Sequence, residues 1–165
     1  MTPARWITTS ATLIIVALVI GGCTPNSAKN GGSGVANGSA AGLKRIVLLN
    51  NTDSPFWDAA RAGIAKAVED LKLADKGFTA GMDSNDGTEQ GQIEKLRQYG
   101  TQNDVVAVVI SPISATNPAI AEELQKLHAK GVIIGCFDSD LDAKFSSIRE
   151  FYVGTNNVQG GKVLG

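Results

Sequence analysis

The sequence has few aromatic residues and no concentration of charge. Phe, Trp and Tyr make up 5% of its 165 residues, and 15 Lys and Arg residues are offset by 16 Asp and Glu residues. Without a basic block the chain has no electrostatic footprint for DNA or RNA, so we expect no nucleic-acid partner. The apolar run from Ala11 to Ile20 is also far shorter than the ~20 residues that span a bilayer.

Motifs for nucleotide and metal chemistry are missing as well. No Gly-x-Gly-x-x-Gly follows the first apolar strand, and no Gly-x-Ser-x-Gly occurs. A Gly-Lys pair looks like the end of a P-loop, but Val163 follows where that motif needs Ser or Thr. The run from Asp138 to Asp142 begins like a calcium loop, but Ala143 replaces its glycine and Arg149 its final glutamate. We therefore expect no metal, no cofactor and no enzymatic activity.

The cysteines and the single histidine do not form a catalytic set. Cys136 lies in the apolar run from Gly131 to Phe137, which predicts a buried thiol. His128 falls on a predicted helix, where we expect it to be partly exposed. Nucleophilic catalysis by this pair is therefore not favoured.

The N-terminal segment changes character at Cys23. The apolar run from Ala11 to Ile20 ends in two glycines that lead directly into this cysteine. The arrangement resembles the signal of a bacterial lipoprotein, which implies a signal peptide over residues 1–22 and lipidation of Cys23. The protein would then lie in the cell envelope, anchored to a membrane on its periplasmic or extracellular face. Residues 23–42 are rich in Gly, Ser and Asn and predict a flexible tether. Ordinary secretion, or an uncleaved anchor with Cys23 incidental, is the alternative.

Residues 43–165 alternate between strand-like apolar runs and segments with helical periodicity. Strands are predicted at 45–50, 78–82, 105–110, 132–137 and 151–153. Capping residues predict helix starts at Ser54-Pro55, Asp86 to Glu89, Asn117-Pro118 and Asn157. The alternation indicates one α/β domain with a three-layer, doubly wound parallel sheet. In such sheets ligands bind beyond the carboxyl ends of the strands.

The segments after the predicted strands carry residues suited to a polar ligand. Phe56 and Trp57 follow the first strand, Asp138 follows the fourth, and Asn156 follows the fifth. A sugar presents an apolar C–H face to aromatic rings and its hydroxyls to carboxylate, amide and hydroxyl groups. A site that hydrogen-bonds hydroxyls also discriminates strongly against analogues that lack them. These residues therefore predict carbohydrate recognition. The alternative is that Phe56 or Trp57 only caps the hydrophobic core.

Four segments carry a family resemblance by their order and spacing: IVLLNNTDSPFWDAARAGIAKA (46–67), VVAVVISPISA (105–115), GVIIGCFDSDLD (131–142) and FYVGTNNVQGGKVLG (151–165). The folded region resembles the first lobe of the type I periplasmic binding proteins, and within them the ribose-type sugar-binding subunits of ABC importers. The resemblance implies a protein that captures a monosaccharide or related polyol for an ABC permease in the membrane. The alternative is a sensory module that presents its ligand to a membrane receptor or chemotaxis system.

The resemblance also implies which residues bind the ligand. Phe56 matches an aromatic residue that stacks on the sugar, with Trp57 beside it, and Asp138 matches a carboxylate that binds ring hydroxyls. The other matches are at positions where family members often have Asn, Arg or Asp. The complete implied set is Ser54, Phe56, Trp57, Ser111, Asp138, Ser139 and Asn156.

The chain departs from the family pattern in two ways. Ribose binders of this kind have Arg directly after the cleft Asp, whereas this chain has Ser139 and so lacks a bidentate donor. Ribose itself is therefore not the ligand we expect. Family members also enclose the ligand between two lobes, and the second lobe is missing from the sequence, which we interpret as a fragment. A half-protein that dimerises to rebuild the cleft is the alternative.

Overall fold

A computed structural model describes residues 42–165. The strands are β1 (Lys44–Leu49), β2 (Phe78–Asp83), β3 (Val105–Ile110), β4 (Ile133–Phe137) and β5 (Phe151–Val153). The α-helices are α1 (Asp58–Asp70), α2 (Glu89–Gly100), α3 (Pro118–Ala129) and α4 (Asn157–Leu164), and short 3₁₀ turns form at Pro55–Trp57, Ala74–Lys76 and Ala143–Ile148. The predictions for the signal peptide, for Cys23 and for the tether to residue 41 fall outside the described residues.

All five strands pair in parallel in the order β2-β1-β3-β4-β5. Their carboxyl ends are aligned, since Leu49 at the end of β1 pairs with Asp83 of β2 and with Ile110 of β3. Ile110 in turn pairs with Cys136 of β4. The loops that follow the strands are therefore brought together at one edge of the sheet.

The strand order fixes where the helices lie. The chain moves in one direction from β1 to β2 and in the opposite direction from β2 to β3 and on to β4. Because such crossovers are right-handed, α1 covers one face of the sheet while α2 and α3 cover the other. The predicted three-layer α/β architecture is confirmed. The direction in which successive strands are added to the sheet reverses between β1 and β3.

The hydrophobic core lies between the sheet and the α2–α3 layer. Alternate residues of the central strands, such as Leu49, Val108 and Ile134, are completely buried there. Leu124 of α3 is buried against the same cluster. The opposite face is more open: Ile133 at the start of β4 remains 52% exposed. The β4–β5 side of that face therefore contributes little to the core.

Local sequence signals account for the helix boundaries. The Asn117 side chain accepts hydrogen bonds from the backbone N–H groups of Ala119 and Ile120, and Pro118 occupies the first position of α3. Gly131, with φ of +84°, supplies the left-handed conformation that ends this helical segment. No helix of the described residues is long and apolar enough to cross a membrane.

Two details of the sequence prediction need correction. The capping pattern from Asp86 to Glu89 suggests Asp86 as the cap of α2, but Thr88 is the N-cap and accepts from Gly91 N–H. Asp86 instead accepts hydrogen bonds from the backbone and hydroxyl of Thr88. The periodicity of α1 also predicts a buried stripe that includes Leu71, yet no residue of α1 is buried and Leu71 is exposed. The helices α2 and α3 pack side by side and shield each other from water. Within residues 42–165, α1 has no such helical neighbour.

Candidate ligand-binding site

The candidate site lies at the carboxyl edge of the sheet, beside the reversal between β1 and β3. Phe56 comes from the loop after β1, Ser111 directly follows β3, and Asp138 directly follows β4. These three positions lie on adjacent strands because of the order β1-β3-β4. Ligands of open α/β sheets bind at such a reversal.

Asp138 has the most unusual backbone conformation at this edge. Its φ is +61°, a left-handed value that is uncommon for residues other than glycine. Ser139 N–H donates to Phe137 O at 2.7 Å, which closes a tight turn around it. The Asp138 N–H donates to Val153 O of β5 at 2.9 Å. The turn directs the chain away from the sheet while keeping residue 138 bonded to it.

The two carboxylate oxygens of Asp138 have different environments. Oδ2 accepts hydrogen bonds from the hydroxyls of Ser111 at 3.1 Å and Ser139 at 3.2 Å. Ser111 is completely buried and therefore ties the carboxylate to the end of β3. Within the described residues, Oδ1 of the exposed Asp138 has no hydrogen-bond donor. A ligand hydroxyl could therefore donate to it.

Phe56 and Trp57 have different environments although they are neighbours. Ser54 caps the 3₁₀ turn that contains them by accepting from Phe56 N–H. Phe56 is 69% exposed, whereas Trp57 is only 3% exposed. The Trp57 ring makes edge contacts with Phe56 at 4.8 Å and with Phe137 at 5.3 Å between centroids. Phe56 thus offers a ring to a ligand, while Trp57 packs beneath it against the end of β4.

Behind the exposed residues lies a buried polar network that the sequence did not reveal. The Gln92 side chain of α2 is completely buried and donates to Asn50 O at 3.2 Å and Ser111 O at 3.0 Å. Its Oε1 accepts from Ile113 N–H at 3.0 Å. One side chain therefore connects the ends of β1 and β3. The only sequence signal is a glutamine beside Ile93, on the inward face of α2.

The same network continues to β2. Asn50 Oδ1 accepts from Asn85 N–H at 2.8 Å, and Asn85 Nδ2 donates to the backbone carbonyls of Asn51 and Thr88. Both asparagines are at least 99% buried. Because buried polar groups are costly unless paired, these bonds fix the strand ends relative to one another.

The implied residue set is only partly brought together. Ser111, Asp138 and Ser139 are in hydrogen-bond contact. Asn156 instead caps α4, its side chain accepting from Gln159 N–H at 3.0 Å. The Ser54 hydroxyl is likewise engaged in its local cap, and Trp57 has little exposed surface. Phe56, Asp138 and Asn156 are the exposed members of the predicted set, and the side-chain oxygen of Asn156 is engaged in capping α4.

The residues considered for metal or thiol chemistry are otherwise engaged. Both oxygens of Asp140 accept hydrogen bonds from Arg149, at 2.5 and 2.7 Å, so this carboxylate is already paired with a cation. No cluster of three potential metal ligands occurs in residues 42–165. Burial raises the pKa of the Cys136 thiol to about 12, which leaves it protonated at neutral pH.

A separate cavity of about 470 Å³ lies beside the end of β2. Its lining includes Asp53, Asp86 and Glu94, together with Asn85 and Lys95. None of the predicted ligand-binding residues lines it, so the candidate site and this cavity are distinct parts of the same edge.

An exposed aromatic ring and a held carboxylate lie at the reversal of a parallel sheet, which is where open α/β sheets bind ligands. Residues 45–165 match the family model described as a periplasmic binding protein domain. The chain therefore belongs to that family, and the family resemblance predicted from the sequence is confirmed. No curated protein matches the chain.

Solved structures of periplasmic binding proteins share the fold. The periplasmic component of an ABC-type sugar transport system from Hahella chejuensis aligns with TM-score 0.61 and 24% identity, over 72% of this chain and 41% of that chain. A solute-binding protein from Burkholderia graminis C4D1M, in complex with D-arabinose, aligns with TM-score 0.61 and 19% identity, over 73% and 38%. A solute-binding protein from Actinobacillus succinogenes 130z with bound D-allose aligns with TM-score 0.60 and 21% identity, over 73% of this chain and 41% of that chain. The chain thus spans about two fifths of the length of these proteins.

Proposed function

We propose that this chain forms the first lobe of a lipid-anchored binding protein that captures a monosaccharide or related polyol for an ABC importer. The observation that carries the proposal is that an exposed Phe56 ring and the free Oδ1 of Asp138 both lie at the same edge of the sheet. Membership of the periplasmic binding protein family supports it, as do the sugars bound by structural neighbours.

The chemistry of the two groups matches the two surfaces of a sugar. An aromatic ring provides an apolar face on which ring C–H groups can pack. A carboxylate accepts hydrogen bonds from two adjacent hydroxyls, and such bonds to a charged acceptor are stronger than neutral ones. The hydroxyls of Ser111 and Ser139 already hold Oδ2, so the carboxylate is oriented before the ligand arrives.

Ser139 bears on which sugar is bound. It supplies one small hydroxyl that donates to Asp138, and not the fork of donors that Arg would provide. A bidentate contact to neighbouring ligand oxygens is therefore absent at this position. We propose a ligand other than ribose that relies on Asp138 and on contacts from outside this lobe.

Binding without chemical change is the expected activity. Isothermal titration of the complete protein against pentoses, hexoses and cyclic polyols should find one class that binds, and the ligand should be recovered unchanged. Replacing Asp138 with Ala should weaken binding roughly 100-fold, since two charge-assisted hydrogen bonds are lost. The matched control is Asp75→Ala, because this exposed aspartate lies in the 3₁₀ turn before β2. No binding by the unaltered protein, or equal affinity of the Asp138 variant, would refute the proposal.

The membrane anchor is a separate part of the proposal and has its own test. If Cys23 is lipidated, cells grown with a labelled fatty acid should incorporate the label into the protein. A Cys23→Ser variant should lose the label and leave the membrane fraction, whereas Cys136→Ser should keep both. Label retained by the Cys23 variant would remove this residue as the anchor.

A further inference from the structure

The left-handed conformation of Asp138 has to be held in place by its surroundings. Residues other than glycine adopt such values at an energetic cost and keep them only where neighbouring contacts fix them. Two of those contacts come from β5: the Asp138 N–H donates to Val153 O, and the Tyr152 hydroxyl donates to Asp138 O at 2.9 Å. Both peptide groups of residue 138 are thereby tied to the sheet edge.

A second contact fixes the chain two residues further on. Arg149, two residues before the start of β5, donates from Nε to Asp140 Oδ1 and from Nη2 to Asp140 Oδ2. Leu141 N–H donates to the same Oδ1 at 2.8 Å. The Arg149 guanidinium also lies 6.0 Å from the centroid of the Tyr152 ring. Hydrogen bonds from β5 and from Arg149 thus hold both ends of the segment 138–140.

Neither residue contacts the Asp138 carboxylate itself. Tyr152 bonds to the backbone carbonyl, and Arg149 bonds to a different aspartate. The carboxylate hydrogen bonds come from Ser111 and Ser139. The contacts of Tyr152 and Arg149 therefore act on the conformation of the loop that carries the carboxylate.

We propose that Tyr152 and Arg149 are positioning residues that hold the Asp138 carboxylate in the orientation that binds ligand hydroxyls. The proposal rests on the proposed function, since it assigns these residues to the same site. It places the determinants of affinity on β5 as well as on the ligand-facing loops.

The first test measures affinity in the complete protein by isothermal titration with the sugar that binds. Tyr152→Phe removes only the hydroxyl and should weaken binding about fivefold, the effect of one hydrogen bond. Tyr99→Phe is the matched control, because Tyr99 donates to Asp83 and is remote in sequence from the turn. It should leave affinity unchanged within about twofold. Arg149→Lys keeps the charge without the fork and should weaken binding as Tyr152→Phe does.

A double-mutant cycle separates positioning from independent action. Asp138→Gly removes the carboxylate and adopts a positive φ without strain. In that background Tyr152→Phe should change affinity less than about twofold, because the group it positions is gone. A fivefold loss that persists with Gly at position 138 would overturn the proposal. So would unchanged affinity of Tyr152→Phe in the otherwise unaltered protein.

The second test needs no ligand. Amide hydrogen exchange of Asp138 and Ser139 reports how often the turn opens. Exchange at both amides should be several-fold faster in Tyr152→Phe and unchanged in Tyr99→Phe. Equal exchange in both variants would overturn the holding role. If the unaltered protein bound no sugar or polyol, the proposed function would fail, and this exchange result would still decide whether Tyr152 holds the turn.

Discussion

Gln92 offers the sharpest test of how the strand ends are held. Its amide donates to the carbonyls of Asn50 and Ser111 and accepts from Ile113 N–H, and the side chain is completely buried. Gln92→Leu keeps a similar volume and removes all three bonds. The substitution therefore isolates the polar contribution of this side chain from its packing.

The magnitude follows from the groups left behind. A buried backbone group that loses its partner costs about 1–3 kcal/mol, and three such groups are affected. Because the apolar Leu side chain gains from burial and offsets part of this cost, we expect a loss of about 4 kcal/mol, near the low end of the sum. Domains of this size are stable by about 5–15 kcal/mol, so the variant should remain folded but marginal.

Urea unfolding of the chain, followed by circular dichroism and by Trp57 fluorescence, measures this loss. With an m-value of about 2 kcal/mol/M, the midpoint should fall by about 2 M. Gln98→Leu is the control, because Gln98 lies on the same helix with an exposed side chain. Its midpoint should move by no more than about 0.3 M. A loss below about 1 kcal/mol for the Gln92 variant, or equal losses for both, would refute the reasoning.

Three further predictions test other features of the domain. Phe56→Ala should weaken sugar binding about tenfold in titration with little change in the unfolding midpoint, because the ring is exposed; a large loss of stability would make it a core residue. Burial raises the pKa of Glu123, but hydrogen bonds from Arg97 and Lys126 outweigh it and leave the pKa below 4.5. A depressed folded-state pKa gives stability that is present above the unfolded pKa and lost as pH falls through the folded value. Glu123→Gln should therefore destabilise at pH 7, and the urea midpoints of the two proteins should converge as the pH falls through the lowered folded-state pKa of Glu123; divergence in acid would contradict this. Finally, Cys136 is completely buried, so a thiol reagent should label this residue only in urea in a Cys23→Ser variant, and rapid labelling of Cys136 in that native variant would contradict its placement.

The architecture was predictable because its signals are local. Continuous apolar runs rich in β-branched residues, such as Val105–Ile110, favour a strand buried on both faces, and the structure has β3 at those bounds. Asn117 before Pro118 and Gly131 after α3 mark helix ends through their own backbone chemistry. Each of these features depends on a residue and its near neighbours, which a single sequence contains.

The site was harder to predict because its residues acquire their roles from distant parts of the chain. Phe56 and Trp57 are adjacent and chemically alike, but contact with Phe137 buries only the second. Asn156 has a suitable amide, yet the start of α4 engages it. The sequence alone presents Gln92 as an ordinary polar helix residue. Its buried hydrogen bonds form only because α2 packs on the sheet. The partners of Trp57 and Gln92 lie far along the chain, whereas Asn156 is engaged locally by Gln159 N–H at the start of α4.

The contrast between buried and exposed side chains at this sheet edge bears on how it would bind a ligand under the proposed function. Buried bonds from Gln92 fix the strand ends, so Phe56 and Asp138 are held before a ligand arrives and less ordering has to be offset by binding. Both groups are nevertheless exposed, so under the proposed function they would contact one side of a ligand. Small-molecule sites commonly bury roughly 70–90% of the ligand surface, which a one-sided platform cannot do. Under the proposed function, tight capture at this edge would therefore need a further surface over Phe56 and Asp138.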